Sequence, residues 1–417
     1  MKFTNEVIDK LKGWAVYAFI FFVPVFYIID SPENRADQEK FFQVAAMGLG
    51  SLFFGNIWIT LFVWLNLVLH AVGGWTVGGT QVLSVFLFGV LFASSRNFFR
   101  DKEVLKYLGP LKLIALLSLV AMVMQLFGVD LISVGQSSDG KTLFDQTYNR
   151  PTGLMRLDAI NGIFFGMIAA LFFFTTPLIG LLCAIPVFNS HSSAAFMAYA
   201  ALLLFWGYYK LKKRLFLILL AVASVGFVAG TYLDYKDDPL TYKSRFESWH
   251  LYTRTALSRP IGFGPDSFRK ENNVKNFTFQ SDEDYNPGVL FTDGPETKRF
   301  VYYSANLGNR IERFRGRIPK HFCHWQEAHN DYIQFFFEYG ILGLILLFFF
   351  FKEIKDRFVL SEKTSELMAL SGMILVLAVC SITQFPFHLA RITGIFGIIV
   401  GAFWAVTDKS YYRFKEV

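Results

Sequence analysis

Three cysteines in 417 residues are too few for a disulfide framework. Cys183 and Cys380 lie in apolar stretches, and Cys323 stands alone in a polar one. Metal motifs are missing as well. His321, His324 and His329, with Cys323 and Glu327 nearby, follow neither the His-Glu-x-x-His nor the paired Cys-x-x-Cys spacing that zinc sites use. No metal and no cofactor is expected. Gly262-x-Gly264 lacks the following Gly-Lys-Ser/Thr of a Walker loop, so no ATPase or nucleotide site is expected either. There is no internal repeat and no low-complexity tract. Charged residues make up only 18% of the chain, and the net charge of +7 sits in short clusters between apolar runs. Such clusters orient membrane spans rather than bind nucleic acid.

What the chain has in quantity is apolar length. It is 53% hydrophobic with 49 phenylalanines, and its mean hydropathy is +0.39. The run 111–127 is long enough, at about 1.5 Å rise per residue, to cross most of a ~30 Å hydrocarbon core. In lipid every backbone polar group must be satisfied internally, which makes such runs helices. Spans are read at 13–29, 41–55, 57–72, 78–95, 109–128, 157–175, 176–189, 192–209, 214–232, 332–351, 366–386 and 390–407. The first follows a weakly basic leader without a small-residue cleavage site and is expected to be retained.

With the amino terminus inside, the basic clusters at Arg96–Lys106, Lys210–Arg214, Lys352–Arg357 and Lys409–Lys415 all fall on one side. That agreement needs an even number of spans, and about twelve fit. The expected fold is an all-α polytopic membrane protein with both termini cytoplasmic. Residues 1–232 hold the first nine spans, with a smaller outer loop at 129–156. A large, partly helical outer loop at 233–331 follows, and 332–417 hold the last three spans. A loop of this length without spans is either functional or disordered. Its Trp249, Trp325 and many Phe and Tyr argue for a folded subdomain.

The most specific stretch is Ala328-His329-Asn330-Asp331-Tyr332-Ile333-Gln334, running into Glu338-Tyr339-Gly340-Ile341-Leu342-Gly343. Asp331, Gln334 and Glu338 are spaced i, i+3, i+7 and share one helical face. Glu338 falls a turn or two inside the hydrocarbon zone, where an ionisable group needs a cavity or a partner. His329 at the boundary has the chemistry to take a proton from an attacking hydroxyl. The plainer alternative is that His329 caps the helix and Glu338 pairs with a buried arginine. For Gly262-x-Gly264 the alternatives are a phosphate cradle and a tight turn packing the loop onto the membrane helices.

Ala-His-Asn-x-Tyr-x-Gln followed by Glu-x-Gly-x-x-Gly resembles the signature of the O-antigen ligase and polymerase superfamily. Two further segments resemble that family in the same order. One is Ser244-Arg245, Trp249 and Arg259-Pro260-Ile261-Gly262-Phe263-Gly264 through Phe268; the other is Arg150-Pro151-Thr152-Gly153, opening the span that carries Asn161 and Gly162. The likeness covers the second half to two-thirds of the chain. At one place it departs: where many relatives carry a Ser-Arg-Gly-like element, this chain reads Ser190-His191-Ser192-Ser193-Ala194. His191 is then either the substitute cation or an interfacial polar residue.

The resemblance implies a GT-C-like glycosyltransferase of the bacterial inner membrane with its active site facing the periplasm. The implied donor is an undecaprenyl-diphosphate-linked glycan and the implied acceptor is lipid A-core, in a bed of membrane lipids. His329 and Glu338 would be catalytic. Arg245 and then Arg150 would hold the diphosphate, since planar guanidinium groups bind it in bidentate fashion. Arg254, Arg313, Arg317 and His191 are further donor-binding candidates. Arg313 and Arg317, spaced i, i+4, would share a helix face, although such a cluster also suits solvent or anionic headgroups. Trp249, Gly262 and Gly264 would shape the loop, and His388 and Arg391 are weaker candidates near the last span. Ligase, polymerase and protein oligosaccharyltransferase activities share the motif. The last usually carries a longer carboxy-terminal extension, and the other segments side with the ligases over the polymerases. A transporter is the rival from another class, yet no symmetric pair of broken segments is present.

Overall fold

The computed structural model describes residues 46–72, 79–127, 158–190, 192–237, parts of 245–265, 300–307, 310–317, 330–384 and 390–415. These are almost wholly helical. After a helical stretch at 46–51 and a 3-10 turn at Leu52–Phe54 come α1 (Ile57–Val72), α2 (Gly79–Phe99), the single turn α3 (Val104–Tyr107), α4 (Gly109–Leu126) and α5 (Asp158–Phe173). There follow α6 (Pro177–Leu182), α7 (Ala184–Asn189), α8 (Ser193–Lys210) and α9 (Lys213–Asp237). A hairpin of β1 (Phe300–Leu307) and β2 (Arg310–Arg317) precedes α10 (Asp331–Leu360), α11 (Ser365–Cys380) and α12 (Ala390–Lys415). The hairpin is antiparallel, with Phe300 opposite Arg317 and Leu307 opposite Arg310.

Helix placement follows the apolar runs 57–72, 78–95, 109–128, 157–175 and 192–209 closely and departs elsewhere. The run 41–55 gives way to the 3-10 turn at Leu52–Phe54, 332–351 is interrupted at Gly340, and 366–386 stops as a helix at Cys380. The run 176–189 is not one helix but α6 and α7, separated at Cys183. Pro186 has no N–H to give the Leu182 carbonyl, and its ring crowds that carbonyl, so the helix is interrupted there. Arg313 and Arg317 lie on β2 rather than on a helix, so the argument from a shared helical face does not hold for them. The expected first span 13–29 and the loop 129–156 lie outside the described residues.

Among the described residues three helices are long and apolar enough to cross a membrane: Val82–Phe99, Gly109–Leu126 and Asp331–Leu360. Several shorter apolar helices accompany them. The surface of α4 points to the same environment. Leu113, Leu116, Leu117, Val120 and Val123 are all exposed on it. A helix that buries one face and turns so many large apolar side chains outward on the rest is suited to lipid rather than to water.

The chain divides into two compact units, each with its own core. The first comprises Met1–Ser94, Lys243–Lys355 and Ala390–Ile398. Here α1 runs against the first part of α10 in antiparallel fashion. Trp58 stacks on Phe349 with ring centres 4.8 Å apart, and one turn later Phe62 meets Tyr339 at 4.9 Å and Phe335 at 5.5 Å. Asn56 starts α1 by accepting from the Trp58 and Ile59 N–H groups and donates its amide to Glu353. Phe88 of α2 stacks on Phe396 of α12.

The second unit comprises Ser95–Tyr242, Asp356–Leu389 and Ile399–Val417. At its centre α5 is buried on every side from Asn161 to Leu171, with α6, α7, α8 and α11 against it. Asn161 inside this core is satisfied: its carbonyl accepts from the Ser118 hydroxyl at 3.0 Å. A charge cluster closes another part of the unit. Asp408 of α12 accepts from Arg96 and from Arg357, each at 2.8 Å. Arg357 is buried, and its guanidinium lies over the Trp404 ring. One carboxylate thus neutralises two cations from α2 and α10. Removing it takes the shared carboxylate from two cations in a largely water-excluded place, which costs more than an exposed ion pair would. Asp408→Asn is therefore expected to destabilise the protein by about 2–3 kcal/mol, discounted for the residual exposure of Arg96 and Asp408. Thermal unfolding in detergent checks this, and an unchanged midpoint would contradict it.

Candidate functional site

The first turn of α10 is capped from its own sequence. The Asn330 side-chain oxygen accepts from the Ile333 N–H at 3.0 Å, and the Asn330 carbonyl accepts from the Gln334 N–H at 3.0 Å. This cap fixes where Asp331, Gln334 and Glu338 point. All three are 0% exposed, so the shared polar face is turned wholly inward. Gln334 donates its amide to the Glu338 carboxylate at 3.1 Å. A carboxylate buried this completely in an apolar helix requires such donors.

Just past Glu338 the helix breaks. Gly340 has φ 62° and ψ −158°, a conformation open in practice only to glycine. The break frees main-chain groups, and the Pro260–Gly264 turn takes them up. The Ile341 N–H donates to the Pro260 carbonyl at 2.8 Å instead of to its own helix. The Phe263 N–H donates to the Phe337 carbonyl and the Gly264 N–H to the Glu338 carbonyl, both at 2.9 Å. Three main-chain groups at the break, the Ile341 N–H and the Phe337 and Glu338 carbonyls, are thereby paired. Gly262 and Gly264 take φ 84° and 101° to present these N–H groups. A side chain on Gly262 would run into the Glu338 carbonyl, and one on Gly340 into the Pro260 carbonyl. The two glycine motifs, some eighty residues apart in sequence, are halves of one main-chain latch.

Side chains reinforce the latch. Phe263 stacks on Phe337 with centres 4.4 Å apart, Tyr252 meets the edge of the same ring, and Arg259 lies over Phe263. Residues 245, 246, 249, 250, 252, 253, 256 and 257 are helical. Tyr252 and Ala256 are buried, Arg245 and Trp249 half-buried, and Phe246, His250 and Leu257 exposed. Trp249 packs edge-on against Phe246. The half-buried arginine thus belongs to a segment whose inner residues rest on α10.

Of the residues singled out from sequence, Glu338, Gly262 and Gly264 come together at the latch. Arg245 and Trp249 lie on the segment anchored by Tyr252. The backbones of Arg313 and Arg317 are in β2. His329, Arg150, Arg254, His191, His388 and the histidine-cysteine stretch 321–327 lie outside the described residues, as does the side chain of Arg391. Sequence reading passed over Asn330 as a cap and the Pro260 carbonyl as a helix acceptor. The Asn-before-Asp-x-x-Gln pattern is a legible cap signal; the carbonyl carries none. Among the described residues no group of three or more His, Cys, Asp or Glu is placed to hold a metal ion. Compared with known proteins, the sequence matches no family model and no curated protein.

Proposed function

We propose that this chain is a multi-pass glycosyltransferase of the bacterial inner membrane. In this reading it is an O-antigen ligase that transfers a glycan from undecaprenyl diphosphate to a hydroxyl of lipid A-core at the periplasmic face. The observation that carries the reading is the latch. It joins the two motifs that resemble the family, bonding the Pro260–Gly264 turn to the main chain of the helix that carries the buried Asp-Gln-Glu face. A turn held by main-chain bonds to a helix entrance suits a fixed catalytic geometry better than a permeation path.

The chemistry follows from the residue types. The sugar arrives activated as a diphosphate, so neither ATP nor a nucleotide sugar is required. His329, next to the Asn330 cap, takes the proton of the acceptor hydroxyl as its oxygen attacks the anomeric carbon. The bond from that carbon to the diphosphate oxygen breaks, and undecaprenyl diphosphate leaves with the electron pair. Arg245 and Arg150 neutralise the charge growing on it, an interaction strongest where water is excluded. Glu338, held by Gln334, orients the imidazole. In this reading no covalent sugar intermediate forms, and a single inverting displacement follows.

The test is transfer in vitro by purified protein supplied with undecaprenyl-diphosphate glycan and lipid A-core in the presence of a chelator. A gel shift of lipid A-core is expected. Longer lipid-linked glycan with unmodified lipid A-core would make the chain a polymerase. No transfer to either acceptor would remove the glycosyltransferase reading and bring the transporter forward.

A further inference from the structure

Four polar side chains lie near or within the apolar run of helix α1, namely Asn56, Thr60, Asn66 and His70, and among them Asn66 has a buried oxygen without a hydrogen-bond partner. Asn56 caps the helix, and the Thr60 hydroxyl donates to the Ser51 carbonyl at 2.8 Å. Asn66 is different. Its amide nitrogen donates to the Phe62 carbonyl at 2.8 Å, one turn back, which fixes the orientation of the side chain. Its carbonyl oxygen is then left buried with no hydrogen-bond partner, in a residue only 1% exposed. Buried acceptors of this kind are rare and cost free energy, so they call for an explanation.

The position of Asn66 supplies one. Phe62, one turn earlier on the same face, touches Phe335 and Tyr339 of α10. On the other side, the Leu69 carbonyl lies 3.9 Å from where a Cβ on Gly264 would stand, and the Gly264 N–H is bonded to the Glu338 carbonyl. Asn66 lies between these two anchor points. It therefore stands level with the start of α10, where Asp331, Gln334 and Glu338 also face inward.

We infer that Asn66 is a sugar-hydroxyl ligand of the site, its Oδ1 accepting an O–H from a glycan bound against the entrance of α10. This rests on the glycosyltransferase reading. A fixed carboxamide acceptor suits a neutral hydroxyl, whereas the diphosphate is itself an acceptor and would be repelled. The hydroxyl belongs either to the donor glycan or to the acceptor oligosaccharide, and both present the same group to Oδ1.

Asn66→Leu separates this role from a structural one. Leucine is of similar size, and the Phe62 carbonyl keeps its helical bond, so removing the orphan acceptor leaves the unfolding temperature unchanged or raises it. Binding to full-length protein in nanodiscs would be measured with three probes: a short-chain polyprenyl diphosphate bearing one glycan repeat, the same lipid without glycan, and soluble core oligosaccharide. The variant is expected to lose about five- to tenfold in affinity for one glycan probe, the size of one neutral hydrogen bond, and nothing for the bare lipid. Loss on the glycan-bearing lipid assigns the hydroxyl to the donor, and loss on the core oligosaccharide assigns it to the acceptor. Equal affinities in variant and wild type would overturn the inference and leave the proposed function standing. A fall in unfolding temperature with uniform loss for all probes would make Asn66 structural. Wild type that binds none of the probes would overturn both readings together.

Discussion

Gly340→Ala is expected to release the loop from α10 and to reduce glycan transfer at least a hundredfold. The backbone at Gly340 occupies a region in which a side chain costs about 1–3 kcal/mol by itself. The added methyl would also meet the Pro260 carbonyl and the Gly262 nitrogen, which are main-chain atoms with no rotamer to turn aside. Relief requires Pro260–Gly264 to move away, breaking the bonds from Ile341, Phe263 and Gly264 at about 1 kcal/mol each. Together these terms reach a few kcal/mol, enough to undock the Pro260–Gly264 turn from α10. A displacement near 1 Å at a catalytic constellation lowers rates by about a hundredfold. Limited proteolysis of the loop reads the undocking, and the transfer assay reads the consequence. Gly109→Ala is the control, because a Cβ there meets nothing within 4 Å. Wild-type protease resistance and transfer in Gly340→Ala would contradict the latch.

His329→Ala is expected to lower transfer by about 10²–10⁴-fold while leaving donor binding intact, as removal of a general base does. Asn330, the next residue along the chain, caps α10 and so fixes the start of the helix that carries the Asp331–Gln334–Glu338 face. Exogenous imidazole should restore part of the lost rate, a readout that a merely structural histidine would not move. Glu338→Gln keeps a hydrogen-bonding partner for Gln334 and should cost less, through orientation of the base. Full activity in His329→Ala would move the base elsewhere, with Asp331 as the next residue to replace.

Helix boundaries were legible because each apolar run reports its own burial requirement locally. The runs 57–72 and 109–128 became Ile57–Val72 and Gly109–Leu126 with almost no change at either end. The same local reasoning failed at 176–189, where Pro186 outweighed apolar length. It failed again at Arg313 and Arg317, where four-residue spacing suits a helix but cross-strand pairing made a hairpin. The inward polar face of α10 was readable from the i, i+3, i+7 spacing alone, because helical geometry ties those positions together.

The sequence by itself determined the helical, apolar character of the chain and the single polar face at the start of α10. Both depend on composition and short-range period. Only the tertiary structure decided that the run from Asp331 is broken at Gly340 and that the Pro260–Gly264 turn fills the break. It also left the side-chain oxygen of Asn66 in α1 buried without a hydrogen-bond partner. A glycine's sequence neighbours do not say whether its φ is positive, and a main-chain hydrogen bond carries no side-chain signature. Those choices are made by the distant segment that supplies the missing donors and acceptors.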